Sequence, residues 1–157
     1  MVSAWESAAS VPDPELPAVT IADLGILRDV REENGAVTVT ITPTYSGCPA
    51  MAQIAADLRH CLVDAGYDRV DIRTELSPAW TTDWITPDGR RKLAEAGIAP
   101  PRAAGPVSVT LTSRPPVRCP RCGSAGTREL SRFSGTACKA LLQCQACLEP
   151  FEHVKEH

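Results

Sequence analysis

The spacing of apolar residues predicts a mixed lobe of strands and helices in residues 1–113. Residues 37–42 alternate strictly between apolar residues and threonine, as expected for a strand with one buried face. They follow residues 26–32 across Asn34-Gly35, a dipeptide that favours tight hairpin turns. Residues 70–76 and 107–111 also alternate. The pattern therefore predicts a β-hairpin and two further strands.

Three segments of the same lobe have helical signals. One helix is predicted to begin at Thr86-Pro87 and to end at Gly97. A short helix is predicted at Asp13-Pro14-Glu15, because Asp is a good N-cap and Pro is favoured at the first helical position. The long helix is predicted from residue 50 to Gly66, which is placed to end it. Its apolar stripe follows the i, i+3, i+4, i+7 spacing and contains Met51, Ile54, Ala55, Leu58, Leu62 and Ala65.

The overall composition excludes several classes of protein. With 157 residues, 43% hydrophobic residues and a net charge of -3, the chain should fold. Its charge is too moderate for a protein that coats nucleic acid. It contains no apolar run of about 18 residues, and residues 1–10 lack the basic start and apolar stretch of a signal peptide. We therefore expect a cytoplasmic protein without a membrane partner, whose 7 cysteines stay reduced.

Four of the cysteines have the spacing of a zinc ribbon. Two CxxC pairs, separated by 21 residues, can complete the tetrahedral thiolate shell that Zn²⁺ prefers. Structural zinc is therefore predicted, with rubredoxin-like iron, an iron–sulfur cluster, or unrelated core or disulfide cysteines as the alternatives. The predicted ligands are Cys119, Cys122, Cys144 and Cys147.

A proline pair in Ser113-Arg114-Pro115-Pro116 marks the predicted domain boundary, because it cannot continue a helix or a central strand. The predicted domains are residues 1–113, a small mixed α/β domain, and residues 114–157, a zinc-ribbon-like four-cysteine domain. The fold class is α+β: a small mixed α/β domain followed by a zinc-ribbon-like domain.

Many zinc ribbons bind nucleic acid, but the charge of this one opposes that function. Residues 1–113 contain 9 Lys and Arg against 15 Asp and Glu, whereas residues 114–157 contain 7 against 4. Four thiolates and one Zn²⁺ add about -2 to the second segment, which leaves about +1. That is too little to neutralise the several phosphates on which affinity depends, so no nucleic-acid partner is expected.

Outside the ribbon, Cys48 is the most informative cysteine. Pro49 suits the first helical position and would place Cys48 at the N-cap, where the helix dipole and free amides lower the pKa of a thiol. Cys48 is therefore a candidate metal ligand or nucleophile, with a tolerated capping cysteine as the alternative. Cys61 is predicted to lie in the core, and Cys138 is either buried or a second functional thiol.

Two further groups of residues have more than one interpretation. Asp13 and Glu15 are either helix-capping residues or a carboxylate pair for acid–base chemistry. Trp80 and Trp84 could stack on a ligand, or they could anchor a loop or fill the pocket of a partner. We expect them in a protein–protein contact or in the seam between the two lobes, not in a catalytic pocket.

Taken together, the motifs resemble the D subunits of the bacterial phenylacetyl-CoA epoxidase system, over nearly the whole chain. The first lobe resembles the metal–sulfur cluster biosynthesis domain family. The segments that carry the resemblance are residues 11–15, 23–25 and 44–49 and the appended ribbon, with residues 78–84, 97–101 and 144–151 specific to the D-subunit branch.

The resemblance implies an accessory protein of aerobic phenylacetate degradation that is not catalytic alone. Its expected task is to mature the iron–sulfur cluster of the reductase or the di-iron site of the oxygenase, so oxygenase or reductase components are the expected partners. Cys48 is then the candidate ligand for transient iron or a cluster, with Asp13 and Glu15 in support. A structural, non-catalytic subunit of the oxygenase and a thiol enzyme are the alternatives, and a homodimer is left open.

Overall fold

The computed structural model describes residues 2–102 and 115–157. The chain divides into two compact units, Met1–Gly89 and Arg90–His157. The predicted strand at residues 107–111 and the predicted boundary between Ser113 and Arg114 lie outside the described residues. Within the described ranges, no helix is long and apolar enough to cross a membrane.

The first unit begins with a helix that the apolar pattern did not predict, α1 (Ala4–Ala9). A capping box fixes its start, because the Glu6 amide donates to Ser3 Oγ over 3.2 Å and the Ser3 amide donates to the Glu6 carboxylate over 2.9 Å. The Ser-x-x-Glu signal is present in the sequence. The helix is nevertheless too short to show a periodic apolar stripe, which is why the apolar pattern misses it.

A three-stranded sheet forms the centre of the first unit. Its strands are β1 (Leu27–Glu33), β2 (Ala36–Ile41) and β3 (Arg69–Thr74), in the order β1-β2-β3. The first pair is antiparallel and the second is parallel. Asn34 and Gly35 both have positive φ, 51° and 74°, which a type I′ hairpin turn requires. The predicted hairpin is confirmed.

Helix α2 (Ala50–Asp64) connects β2 to the parallel strand β3 and confirms the predicted long helix. Gly66 follows its end with a φ of 98°. The stripe is narrower than predicted, since Met51 and Ala55 are only half-buried and Ala65 is exposed. The fully buried side chains of β2 and α2 are Val37, Val39, Ile41, Ile54, Leu58 and Leu62.

Helix α3 (Pro87–Glu95) confirms the second predicted helix, with Gly97 at a φ of 78° just beyond its end. Next comes the four-stranded sheet of the second unit, whose strands are β4 (Ile98–Ala99), β5 (Thr127–Ser131), β6 (Lys139–Cys144) and β7 (Pro150–Val154). Their order in the sheet is β4-β7-β6-β5. Strand β4 pairs parallel to β7, and the other two pairs are antiparallel.

The main apolar cluster that the structure describes in the second unit is small. Apart from Leu142 and Phe151, its buried members are alanines and cysteines, with Val117 packed against them. Leu93 of α3 and Val154 of β7 are buried as well. A cluster with so few large apolar side chains offsets little of the loss of chain entropy in a domain of this size, so we expect an additional source of stability in this unit. The buried cluster is Ala99, Cys119, Ala140, Leu142, Cys144 and Phe151.

Candidate metal centre and the Cys48 loop

The four ribbon cysteines converge at one point of the second unit. All four Sγ atoms lie within 4.8 Å of one another, with 3.8 Å between Cys119 and Cys147 and 3.6 Å between Cys122 and Cys144. A tetrahedral site with Zn–S bonds of about 2.3 Å has ligand–ligand edges of about 3.8 Å. The observed separations therefore fit one tetrahedral metal ion. A thiolate set of this kind also suits iron.

The first cysteine pair is held by a tight turn. The Gly123 amide donates to the carbonyl of Cys119, and the Cys119 amide donates to the carbonyl of Ser124, each over 2.9 Å. Gly123 has a φ of 73°, in the left-handed region where glycine carries no steric penalty. The turn directs the Sγ atoms of Cys119 and Cys122 to the same side.

The second pair has the same kind of turn but a different residue at the left-handed position. Leu148, one residue after Cys147, has a φ of 62° and is 68% exposed. Amide hydrogen bonds from Cys147 and Ala146 lower the pKa of Cys144, with 3.4 Å between the Ala146 nitrogen and Cys144 Sγ. This turn favours the thiolate form that a metal ligand needs. The opposite holds for Cys122: the Ser124 amide acts to lower its pKa, but the contacts with the Cys144 sulfur and the other two ribbon sulfurs, together with desolvation, outweigh it and raise the pKa.

Cys48 lies in the loop between β2 and α2 and is half-buried. The N-cap of α2 is Pro49, with no side-chain cap, so the predicted N-cap position of Cys48 is wrong by one residue. Burial raises the pKa of the Cys48 thiol above its ordinary value, and the Glu15 and Asp13 carboxylates add to the rise. Hydrogen bonds from the Ala50 amide and the Thr44 hydroxyl oppose it only in part. The predicted lowering of this pKa is therefore also wrong.

Asp13 and Glu15 do not begin a helix, in contrast to the prediction. Asp13 is 5% exposed, and its Oδ1 accepts the amides of Glu15 over 2.9 Å and Leu16 over 2.7 Å, which closes a turn. An Asp-Pro-Glu sequence supports an Asx-turn as well as a helix start, and the non-helical backbone decides between them here. In the fold, both carboxylates act on the pKa of Cys48, although more than 30 positions of sequence separate them from it.

The remaining thiols take structural positions. Cys61 is half-buried, not a core residue as predicted, and its Sγ lies 3.3 Å from the carbonyl oxygen of Ser7 on α1. Cys138 is buried, with Thr136 Oγ1 3.0 Å from its sulfur, which matches the interpretation of a buried cysteine.

The two tryptophans anchor the first unit. Trp80 is 8% exposed, and its indole N–H donates to the carbonyl of Leu24 over 2.8 Å. The Arg28 guanidinium carbon lies over the half-buried Trp84 ring, 3.7 Å from the ring centre. Loop anchoring accounts for these contacts, and the expected protein–protein contact stays a prediction.

His153 receives no role from the sequence because it lies in the C-terminal tail. It is 8% exposed on β7, with its Nδ1 3.1 Å from the carbonyl oxygen of Ala99. Burial lowers its pKa below the ordinary value. The contact joins β4 to β7 and stabilises the ribbon. It could not be predicted from the sequence, because it depends on the pairing of strands that are far apart in the chain.

Two family models match the chain. The model of iron–sulfur cluster assembly proteins matches residues 7–71, a range that includes Asp13, Glu15 and Cys48. The model of the PaaD zinc beta ribbon domain matches residues 103–155, which include the four-cysteine cluster. A crystal structure of a DUF59 domain from Bacillus anthracis is similar as well, with a TM-score of 0.53 and 28% identity over 57% of this chain and 87% of that chain.

Individual relatives agree with both models. The chain is 35% identical to an Fe-S protein maturation auxiliary factor of Porphyromonas gingivalis over 86 residues, which cover 54% of this chain and 81% of the relative. It is 46% identical to the D subunit of the 1,2-phenylacetyl-CoA epoxidase of Escherichia coli K12 over 151 residues, which cover 96% of this chain and 90% of the relative. Similarity over almost the full length of both proteins shows that this chain belongs to the PaaD family, the D subunits of the phenylacetyl-CoA epoxidase system.

Proposed function

We propose that this protein assembles or inserts a metal centre of the phenylacetyl-CoA epoxidase system, with Cys48 as the residue that holds iron or a cluster in transit. The observation that carries the proposal is the half-buried thiol of Cys48 in the loop between β2 and α2, where the Glu15 and Asp13 carboxylates help to raise its pKa. The segment lies in the range matched by iron–sulfur cluster assembly proteins, and a relative of this region is named as a maturation factor.

The incomplete ligand set around Cys48 suits a carrier. In the part of the chain that the structure describes, only the ribbon cysteines form a cluster of three or more ligand groups, so the Cys48 loop does not enclose an ion by itself. One soft thiolate with hard carboxylates nearby leaves coordination positions open for ligands from a client protein. A cargo metal held in this way can pass to the client by ligand exchange.

The four-cysteine site has a different role in the proposal. Its four thiolates fill a tetrahedral shell and leave no open position, so the ion we propose there, zinc, is structural. The ribbon then serves as the part of the protein that contacts a client. The clients proposed are the oxygenase, through its di-iron site, and the reductase, through its iron–sulfur cluster.

An anaerobic transfer assay tests the proposal. The purified protein is loaded with iron alone or with iron and sulfide, and visible absorption, metal and sulfide content are measured before and after addition of the apo-oxygenase or the apo-reductase. We expect the wild type to bind iron beyond its zinc and to pass it on, and Cys48→Ser to do neither. Cys61→Ala, which removes another half-buried thiol, is the matched control and should behave as the wild type.

The outcome also separates the proposal from a purely structural subunit. If Cys48→Ser binds and transfers iron as well as the wild type, the carrier function through this thiol is wrong. Stable co-purification with the oxygenase core at a fixed stoichiometry, without any effect on its metal content, would then favour the structural subunit.

A further inference from the structure

The loop between β5 and β6 displays an exposed aromatic ring. The chain has 2 phenylalanines: Phe151 is 5% exposed in the ribbon core, whereas Phe133 is 64% exposed. A single exposed apolar side chain needs no explanation by itself. Phe133 differs because hydrogen bonds and an ion pair hold the segment around it. This segment, residues 132–138, is here called the Phe133 loop.

Hydrogen bonds fix the backbone on both sides of the ring. Ser131 Oγ donates to the Phe133 carbonyl over 2.6 Å and accepts the Phe133 amide over 3.2 Å. The Ser134 amide donates to the carbonyl of Lys139 over 3.0 Å. The backbone that presents the ring is therefore restrained. A loop held in this way loses less backbone entropy when a partner binds it.

A buried ion pair secures the base of the loop. Lys139, 6% exposed, places its Nζ 2.8 Å from Glu152 Oε2, and Ser134 Oγ donates to Glu152 Oε1 over 2.5 Å. Burial acts to raise the pKa of Glu152, but the hydrogen bonds from Lys139 and Ser134 outweigh it and keep this pKa below its ordinary value. The charge of Glu152 on β7 is thus compensated by Lys139 on β6.

The charges next to the ring are positive. Lys155 Nζ lies 4.5 Å from the centre of the Phe133 ring and donates to the carbonyl of Arg132 over 3.1 Å. Glu129 and Glu156 share a groove with Arg132 and Lys155, but in the described ranges neither carboxylate forms an ion pair with those cations. An exposed aromatic side chain on a restrained backbone, with the Lys155 ammonium against its ring, is suited to an apolar pocket with carboxylates on its rim.

From this arrangement we propose that the Phe133 loop is the contact by which the ribbon docks its client, and that the client receives Phe133 in an apolar pocket rimmed by acidic residues. The inference rests on the proposed function, since it specifies how the client is held. It assigns no metal chemistry to the ribbon. Lys155 contributes in two ways, by covering one part of the ring and by meeting the acidic rim.

Binding between purified proteins tests the inference. The wild type and each variant are titrated, at low and at physiological salt, with the purified oxygenase and with the purified reductase of the same organism. Phe133→Ala should raise the Kd for one of these components at least tenfold, without a change in zinc content or Tm. Lys155→Met keeps a side chain over the ring but removes the charge, so it should raise the Kd about threefold and weaken the dependence on salt.

Leu76→Ala is the matched control, because Leu76 is an apolar side chain of the first unit that is 69% exposed. It should bind as the wild type does. The inference is wrong if Phe133→Ala binds within twofold of the wild type, if Leu76→Ala loses as much affinity, or if neither component binds the wild type. Self-association that Phe133→Ala removes would identify a second copy as the occupant and would also overturn it.

The same variant distinguishes this inference from the proposed function. If Phe133→Ala keeps its affinity while Cys48→Ser fails to transfer iron, the docking surface alone is misplaced. If Phe133→Ala loses affinity while Cys48→Ser transfers iron normally, the carrier role of Cys48 alone is wrong.

Discussion

Cys122 Sγ and Cys144 Sγ lie 3.6 Å apart, although 22 positions of sequence separate the two residues. The contact joins a turn that precedes β5 to the end of β6, and Cys119 and Cys147 repeat it at 3.8 Å. Four uncoordinated thiolates at such distances would repel one another, and four thiols would contribute little to stability. A metal ion bound to the four thiolates would remove this repulsion and would be a main source of stability for the small ribbon core.

Metal removal should therefore unfold the two units unequally. A strong chelator should open the amides of β5, β6 and β7, because their core contains few large apolar side chains. The amides of β1, β2 and α2 should stay protected, since that unit has an apolar core of its own. Amide hydrogen exchange with and without chelator measures both. Simultaneous opening of all six elements, or of none, would contradict the assignment.

The left-handed conformation of Leu148 should reduce the stability of the ribbon. Leu148→Gly relieves a backbone strain of about 1–2 kcal/mol and loses little burial, because the side chain is 68% exposed. Part of the gain is offset by the flexibility of glycine in the unfolded chain. We expect a net stabilisation of about 0.5–1 kcal/mol in urea unfolding of the zinc-loaded protein. Gly123→Ala, at the corresponding position of the first turn, should destabilise by a similar amount, and stabilisation there would refute the argument.

The ion pair of Lys139 and Glu152 should make the ribbon sensitive to acid. The pKa of Glu152 is lower in the folded chain than its ordinary value of 4.5, so its contribution is complete above about pH 4.5 and disappears as the pH falls through the lower folded value. Glu152→Gln should cost about 1.5–3 kcal/mol at pH 7 and should flatten the acid limb of the stability curve.

Arg91→Gln provides the control for that measurement. Arg91 pairs with Glu95 over 2.6 Å, but both side chains are more than half exposed. Its loss should cost about 0.3–0.5 kcal/mol, as for other exposed i, i+4 pairs. If Glu152→Gln and Arg91→Gln lowered the free energy of unfolding by equal amounts, burial of Lys139 would add nothing to the strength of its ion pair.

The two tryptophans should differ in their effect on stability. Trp80→Ala removes a buried indole and its hydrogen bond to Leu24, which should cost about 3–5 kcal/mol in urea unfolding of the first unit. Trp84→Ala removes a half-buried ring and its contact with Arg28, which should cost about 1 kcal/mol. If the Trp80→Ala protein were as stable as the wild type, the anchoring role would be wrong and a contact with a partner would be favoured for Trp80.

Local signals in the sequence are sufficient for the elements that depend on neighbouring residues. The Asn34-Gly35 turn, the alternation of β2 and the period of α2 are each encoded within a short segment, and so is the CxxC spacing within each cysteine pair. The Asp13 turn is not predictable in the same way, because the same Asp-Pro-Glu sequence can open a helix.

The properties of Cys48 depend on residues distant in the chain. The helix behind Cys48 is predictable from the sequence, and by itself it indicates a lowered pKa. Burial and the carboxylates of Glu15 and Asp13 reverse that direction. Neither effect can be read from residues 43–50. The pairing of β4 with β7, which places Ile98–Ala99 in the ribbon sheet, is likewise a long-range contact without a local signal.

The most direct test of the account is the metal content of the epoxidase system in cells that contain only Cys48→Ser. The variant is expressed at the wild-type level in a strain without the native gene, and the oxygenase and reductase are purified under anaerobic conditions. Their iron and sulfide are then measured. We predict that at least one of the two components loses most of its metal and that growth on phenylacetate fails, while Cys61→Ala restores both. Full metal content in both components, with a folded Cys48→Ser protein present, would contradict the central claim that Cys48 delivers their metal.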